Sequence, residues 1–481
     1  MLRDLAAFML LLPALHAADP FEGVRDSIRR QLAETSVPSV AVAVARDGRI
    51  VWEEGFGWAD REKRIPATAH TMYSLASISK PFTATGLMVL VRRGAIVLDK
   101  PVNDYLGSAK VRARVGDAAQ ATVRRVANHT AGLPLHFQFF YRGEPNRPPS
   151  RDETILRFGN LVAAPGEGYS YSNLGYGILD HVIARASGRS FAEFMRTSVF
   201  FPLGLTRTSV DFGPELEDYA AVRYGSDGLP IPPYEFDHDG ASAVWSSAHD
   251  LVRFAMFHLK AHLPEQKPIL PDDLIDAMQN PTAAIGANSG YGVGWRVDDH
   301  PAGRIVSHSG GMPGVLTDLR MVPSEKLAVV VLSNASAGLP QRIADQIVSA
   351  LLPAWKPSRN QPSAPNLPIP KQLLGSWKGH LSTYKAEIPL TVRILESGDV
   401  HAQLGTQLKM LWNDTRWDGV AIRGRMPGDL GIEECARGPR VLQFTLTPRG
   451  NVLNGPVSAT SEMGRPRPAG AVTQWVELTR Q

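Results

Sequence analysis

Three short stretches of this chain carry side chains suited to acyl transfer. The first reads Ser77-Ile78-Ser79-Lys80, with Pro81 directly behind. A serine hydroxyl is a poor nucleophile at neutral pH and needs a neighbouring base. A lysine can be that base where a buried, electropositive site depresses its pKa. The second stretch is Tyr171-Ser172-Asn173. A tyrosine there exchanges protons if a nearby ammonium lowers its pKa, and an asparagine hydrogen-bonds an amide or ester carbonyl. The third is His308-Ser309-Gly310-Gly311. A glycine-rich strand edge exposes backbone N–H groups, which suits one half of an oxyanion hole.

Alone, Ser-x-x-Lys is a weak signal, and it recurs at Ser382 and Lys385. The elements that must position each pair separate the two. From Ile78 onward, Phe82, Thr85, Val89 and Arg92 recur at helical spacing and stop near Arg93-Gly94. The backbone N–H groups of a first helical turn lack intrahelical partners, so Pro81 fits there. Ser77 then sits at a helix start, with Lys80 three residues on and on the same face. The helix dipole there favours developing negative charge. Ser382 and Lys385 fall instead in a strand-rich tail, where residues three apart point to opposite faces. Tyr171-Ser172-Asn173 precedes a helical run, and His308 lies at a strand end. His238 gives a second His-x-Gly but reads as a loop residue, and Glu167 reads as a solvated turn residue.

At 481 residues, two or three domains are expected. A helix near residues 21–35 precedes two alternating runs around Asp47-Gly48, which predict a hairpin. "GRIVSHSGGMPGVLTDLRMVPSEKLAVVVLSNAS" predicts further strands, and helical stretches lie between. The pattern is α+β: an antiparallel sheet flanked by helices with a helical insertion, over residues 19–352. Six prolines in residues 353–370 predict an extended linker. Residues 371–481 read as short strands and turns, a small all-β barrel or sandwich.

A net charge of +4 without a long basic run excludes a nucleic-acid arm. The single cysteine, Cys435, excludes an intrachain disulfide and argues against a zinc–thiolate site. No metal or cofactor motif is present, so no cofactor is expected. Residues 1–18 carry Arg3, an apolar run and then Ala17-Ala18, the layout of a secretory signal peptide. This predicts a secreted or periplasmic protein with no membrane span in the mature chain.

The order Ser-x-x-Lys, Tyr-x-Asn, His-x-Gly resembles the serine β-lactamase and penicillin-binding-protein superfamily, in its class C branch with related esterases and peptidases. Supporting stretches are "VARDGRIVWEEGFGWAD", "LDKPVNDYL", "ATVRRVANHTAGLP", "FFPLGLTRTSV", "WSSAHDLVRFA" and "YGVGW". They cover about residues 25–350.

The resemblance implies Ser77 as acylated nucleophile, Lys80 as its proton acceptor and Tyr171 as general acid/base. Asn173 would orient the substrate carbonyl, His308 would complete the far wall, and the Ser77 and Gly311 N–H groups would form the oxyanion hole. No metal is implied. His129, in "NHTAGLP", matches a segment that looks structural. His308 stands where lysine is frequent, and a mostly neutral imidazole anchors a carboxylate less well. That tilts the expectation from efficient lactam hydrolysis toward an esterase or a D-amino-acid peptidase or carboxypeptidase, acting on a small molecule or short peptide. A non-catalytic cell-wall or β-lactam binding or sensing protein, and an acyltransferase, are the alternatives. "LLGSWKGHL" resembles the first strand of lipocalin-like domains, its tryptophan more a core residue than a ligand contact. Such a barrel is expected to pack near the active-site mouth, limiting substrate size or mediating oligomer contacts.

Overall fold

The structure, a computed structural model, describes residues 19–212, 214–356, 366–462 and 467–481. The 1–18 leader pattern and the middle of the proline-rich stretch lie outside the described residues. Among the described residues, nine strands form the main antiparallel sheet. Its centre joins the two ends of the first domain: Ser39–Arg46 pairs with Leu327–Ser333, from Val40 opposite Ser333 to Arg46 opposite Leu327. Ser39–Arg46 also pairs with Arg49–Asp60 through the expected hairpin. Asp47 and Gly48 both take positive φ (50° and 76°), as a tight two-residue turn requires.

Side-chain alternation along Ser39–Arg46 decides what covers each face. Val40, Val42 and Val44 pack with the helices Glu22–Glu34 and Leu339–Leu351. Ala41, Ala43 and Ala45 face the other way, into a core shared with the helices Ser79–Arg92, Asn173–Ser187 and Ala248–His258. Those three helices belong to the insertion between the two halves of the sheet, so the α+β expectation holds.

After the proline-rich stretch, Gly375–Ser382 pairs with both Glu387–Ile394 and the last strand, Gly470–Arg480. First-to-last pairing nearly closes the second sheet into an up-and-down barrel. Trp377 of the Gly-x-Trp motif is buried in it and donates from Nε1 to the Leu373 carbonyl at 2.9 Å. The tryptophan is a core residue. The barrel also takes in a strand of the first domain: Phe137–Gln138 pairs with Ala471 and Gly470. No described helix is long and apolar enough to cross a membrane.

Candidate active site

Ser77 lies in a 3-10 turn, Ala76–Ile78, that runs directly into the helix Ser79–Arg92. Pro81 is the third residue of that helix, where its missing N–H costs nothing. Ala76 has φ +49°, a left-handed conformation that costs a non-glycine residue roughly 1–2 kcal/mol. Its neighbours hold it there. The Leu75 N–H donates to the Val244 carbonyl at 2.9 Å, and the Leu75 carbonyl accepts from Thr317 Oγ1 at 3.0 Å. Ser79 Oγ accepts from the Val244 N–H at 2.9 Å.

Lys80 is fully buried. Its Nζ lies 3.1 Å from Ser77 Oγ, 2.8 Å from Asn173 Oδ1 and 3.2 Å from the Ala241 carbonyl. Burial holds its pKa well below the usual lysine value. Two of its three partners can only accept. A neutral amine therefore spends both hydrogens on Asn173 and Ala241 and turns its lone pair toward Ser77. That is the arrangement a general base needs.

Tyr171 closes the other side. Its hydroxyl lies beside Ser77, and Lys80 Nζ sits 4.7 Å from its ring centre. The expectation that an ammonium lowers the tyrosine pKa is corrected: burial pushes it up. The physical reason is shared, because the burial that lowers the Lys80 pKa also disfavours a phenolate. The site thus has a protonated phenol beside Ser77 and, once Lys80 loses its proton, an amine that accepts from it. Asn173 opens the helix Asn173–Ser187, capped by Ser172, whose Oγ accepts from the Gly175 N–H at 3.1 Å. With Oδ1 given to Lys80, the Asn173 amide NH2 is left for a substrate carbonyl.

His308 is buried on the strand Gly303–Met312. Its Nδ1 donates to the Ser309 carbonyl at 2.8 Å, so Nε2 accepts from the Tyr291 hydroxyl at 2.8 Å. Burial and the nearby Lys80 lower its pKa to about 3, which leaves a neutral imidazole. The neighbouring strand Arg296–His300 stops pairing at Ser307, so this edge is without a strand from His308 onward. The nucleophile turn packs there. Gly310 is what lets it approach: a Cβ would lie 2.2 Å from the Leu75 carbonyl oxygen and 2.4 Å from Thr317 Oγ1. At Gly311 the nearest atom, Leu316 Cδ1, is 3.4 Å away.

The fold therefore draws Ser77, Lys80, Tyr171 and Asn173 into direct contact, with His308 and Gly310-Gly311 on the strand beside them. His129, read from sequence as lying in a structural segment and left out of the site, packs directly against it. It is buried at φ +64°, with Nδ1 accepting from the Ser172 N–H at 3.1 Å. Its ring lies 4.5 Å from that of Tyr171 and 4.8 Å from that of Tyr291, and burial with Lys80 and His308 nearby lowers its pKa well below the usual value. It braces the tyrosine, a role that "NHTAGLP" signals only through its glycine- and proline-marked turn. The Ala241 carbonyl was missed, since a backbone acceptor leaves no trace in side-chain patterns. His238, read as a loop residue, is fully buried against Asp237. Glu167 stays in its turn, accepting from the Ala164 N–H at 3.1 Å. Ser382 and Lys385 serve separate partners, Glu387 at 2.8 Å and Glu433 at 3.0 Å.

Similarity to known proteins agrees with this geometry. Residues 24–352 match the family model described as Beta-lactamase. Penicillin-binding protein 4* of Bacillus subtilis is 31% identical over 321 residues, 61% of this chain and 67% of that protein. The chain spans about two thirds of the length of the curated relatives it matches. Among solved structures, a class C β-lactamase from Rhodobacter sphaeroides aligns with TM-score 0.58 at 25% identity, over 68% of this chain and 98% of that one. SurE with D-Leu aligns with TM-score 0.63 at 23% identity, over 96% and 99%, so its fold runs through both sheets. With a serine–lysine–tyrosine site inside the matched residues, the chain belongs to the β-lactamase family, the family of serine acyl-enzyme hydrolases that includes the penicillin-binding proteins.

Proposed function

We propose that this protein hydrolyses esters or amides of D-amino acids or short peptides through an acyl-enzyme on Ser77. The observation that carries the reading is the buried Lys80 amine, its pKa held down and two of its partners acceptors, so that on losing its proton its lone pair meets Ser77 Oγ. Ser77 attacks the substrate carbonyl as its proton passes to Lys80. The Ser77 and Gly311 N–H groups face the developing oxyanion, and the Asn173 amide orients the substrate. Tyr171 relays a proton to the leaving group and, with Lys80, takes one from the deacylating water. Neutral His308 gives the far wall no fixed positive charge, which favours esters and amides over substrates anchored by a carboxylate there. The similarity to SurE with D-Leu supports a D-configured substrate. The leader pattern supports action outside the cytoplasm, and the barrel restricts substrate size.

Intact-mass analysis with a fluorophosphonate, a panel of β-lactams and D-alanyl esters tests this, on wild type and Ser77→Ala. Wild type is expected to gain one adduct and the variant none. An unlabelled wild type would favour a binding or sensing protein, and an adduct on Ser77→Ala would remove the nucleophile assignment. Adding an amine or alcohol acceptor to the D-alanyl ester distinguishes transfer from hydrolysis by the product formed.

A further inference from the structure

A second group of chemistry-bearing side chains meets away from Ser77. Met72–Ser74 and Trp245–Ser247 pair antiparallel, with Met72 opposite Ser247. Two residues outward from that pair on each segment bring His70 beside His249. Ser77 lies beyond the opposite end of the same ladder. The two imidazole rings are 4.6 Å apart, and the His249 backbone N–H donates to the Ala69 carbonyl at 3.1 Å. From the strand Arg49–Asp60, Glu53 places Oε2 2.8 Å from His249 Nδ1. One ligand-capable atom from each of the three lies within 4.8 Å of the other two. His70 is exposed, while Glu53 and His249 are half-buried.

We propose that Glu53, His70 and His249 form a binding site for a late first-row divalent cation, with Zn2+ the ion the donors suit. Two imidazoles and a carboxylate make a mixed nitrogen–oxygen set, whereas Mg2+ and Ca2+ select oxygen ligands. Binding replaces the proton shared between His249 and Glu53, and His70, the exposed member, completes the set. The cation staples three elements that are far apart in sequence: the strand Arg49–Asp60, the turn before Met72, and the first turn of the helix Ala248–His258. A second such group, His136, Asp237 and His238, is fully buried, and Asp237 already accepts from both rings at 2.7 Å. With its inner atoms engaged and no exposed member, that group is a hydrogen-bond network and not an ion site.

The test uses the untagged full chain, stripped with a chelator and titrated with Zn2+ by calorimetry, with thermal unfolding followed in parallel. One equivalent is expected to bind and to raise the melting temperature by about 2 °C or more once zinc far exceeds its dissociation constant. His70→Ala is expected to weaken binding about 100-fold and to abolish the shift, while its zinc-free melting temperature stays at the wild-type value. Glu53→Gln is expected to weaken binding less. Co2+ substitution should give the visible bands of a four-coordinate site in wild type and lose them in His70→Ala. Absence of one-equivalent binding, or equal affinity in His70→Ala, would overturn the assignment. Labelling of Ser77 by fluorophosphonate is expected to be the same with and without zinc.

Discussion

Deprotonated, the Lys80 amine has two hydrogens and one lone pair, and its three neighbours take them in only one sensible way. A guanidinium in its place would stay charged, so neither Lys80→Ala nor Lys80→Arg should retain function. Both are expected to slow Ser77 labelling by roughly 10²–10⁴-fold, measured as the rate of fluorophosphonate adduct formation. The labelling rate should rise with pH as Lys80 loses its proton. Because its pKa is held well below 10.5, the half-rise should fall well below that value; a half-rise near 10.5 would contradict a buried base. Tyr171→Phe keeps the serine–lysine pair but removes the phenol beside Ser77. Turnover of a D-alanyl ester is expected to fall about 10²–10³-fold, with a smaller change in labelling by reagents that carry a good leaving group.

At the scale of elements, the nucleophile turn depends on how closely a strand can approach it. Gly310→Ala would put a methyl group inside van der Waals contact of the Leu75 carbonyl and of Thr317 Oγ1. The turn must move, so a destabilisation of about 2–3 kcal/mol is expected together with loss of labelling, read by denaturant titration and by mass. How far such features are legible in sequence depends on whether they repeat. Pro81 and the apolar spacing behind it disclosed the helix, and Asp47-Gly48 disclosed the hairpin, because local periodicity and turn chemistry suffice for both. The left-handed Ala76, the Ala241 carbonyl and the His129 brace arise only when distant segments meet. The Tyr171 pKa was misjudged for a similar reason. Its sign follows from burial, a property of the assembled pocket, and not from the identity of the neighbouring lysine.

For the molecule as a whole, several buried histidines make stability depend on pH. His258 and His308 have pKa values lowered to about 3 in the folded protein, against about 6.5 when unfolded. Between those values the unfolded chain binds more protons. The stability is therefore fully present above pH 6.5 and is lost as pH falls toward 3. Each residue is expected to cost about 2 kcal/mol between pH 7.5 and 5, and denaturant midpoints at the two pH values check this. The barrel is tied to the same framework. Gly470 has φ +128°, and a Cβ there would lie 2.1 Å from the Phe137 carbonyl oxygen. Gly470→Ala should therefore unseat the barrel edge, lowering both the melting temperature and the kcat/KM of ester hydrolysis. The change to short strands and turns after residue 370 disclosed the barrel sheet. Nothing in Phe137-Gln138 announced that it pairs with the last barrel strand.

That pairing of Phe137-Gln138 with the barrel has a consequence for how such a chain can be rebuilt by recombination. The backbone leading into Phe137 accepts from Ser172, which caps the Asn173 helix, at the Pro134 carbonyl, and from Thr473 of the barrel at the Leu135 carbonyl. Gln138 reaches on to Asp237. A different C-terminal partner joined at the proline-rich stretch would leave this edge unpaired beside the catalytic helix. The two units are separable in sequence but not as interchangeable modules, and successful chimaeras should be those that carry residues 134–138 together with the last barrel strand.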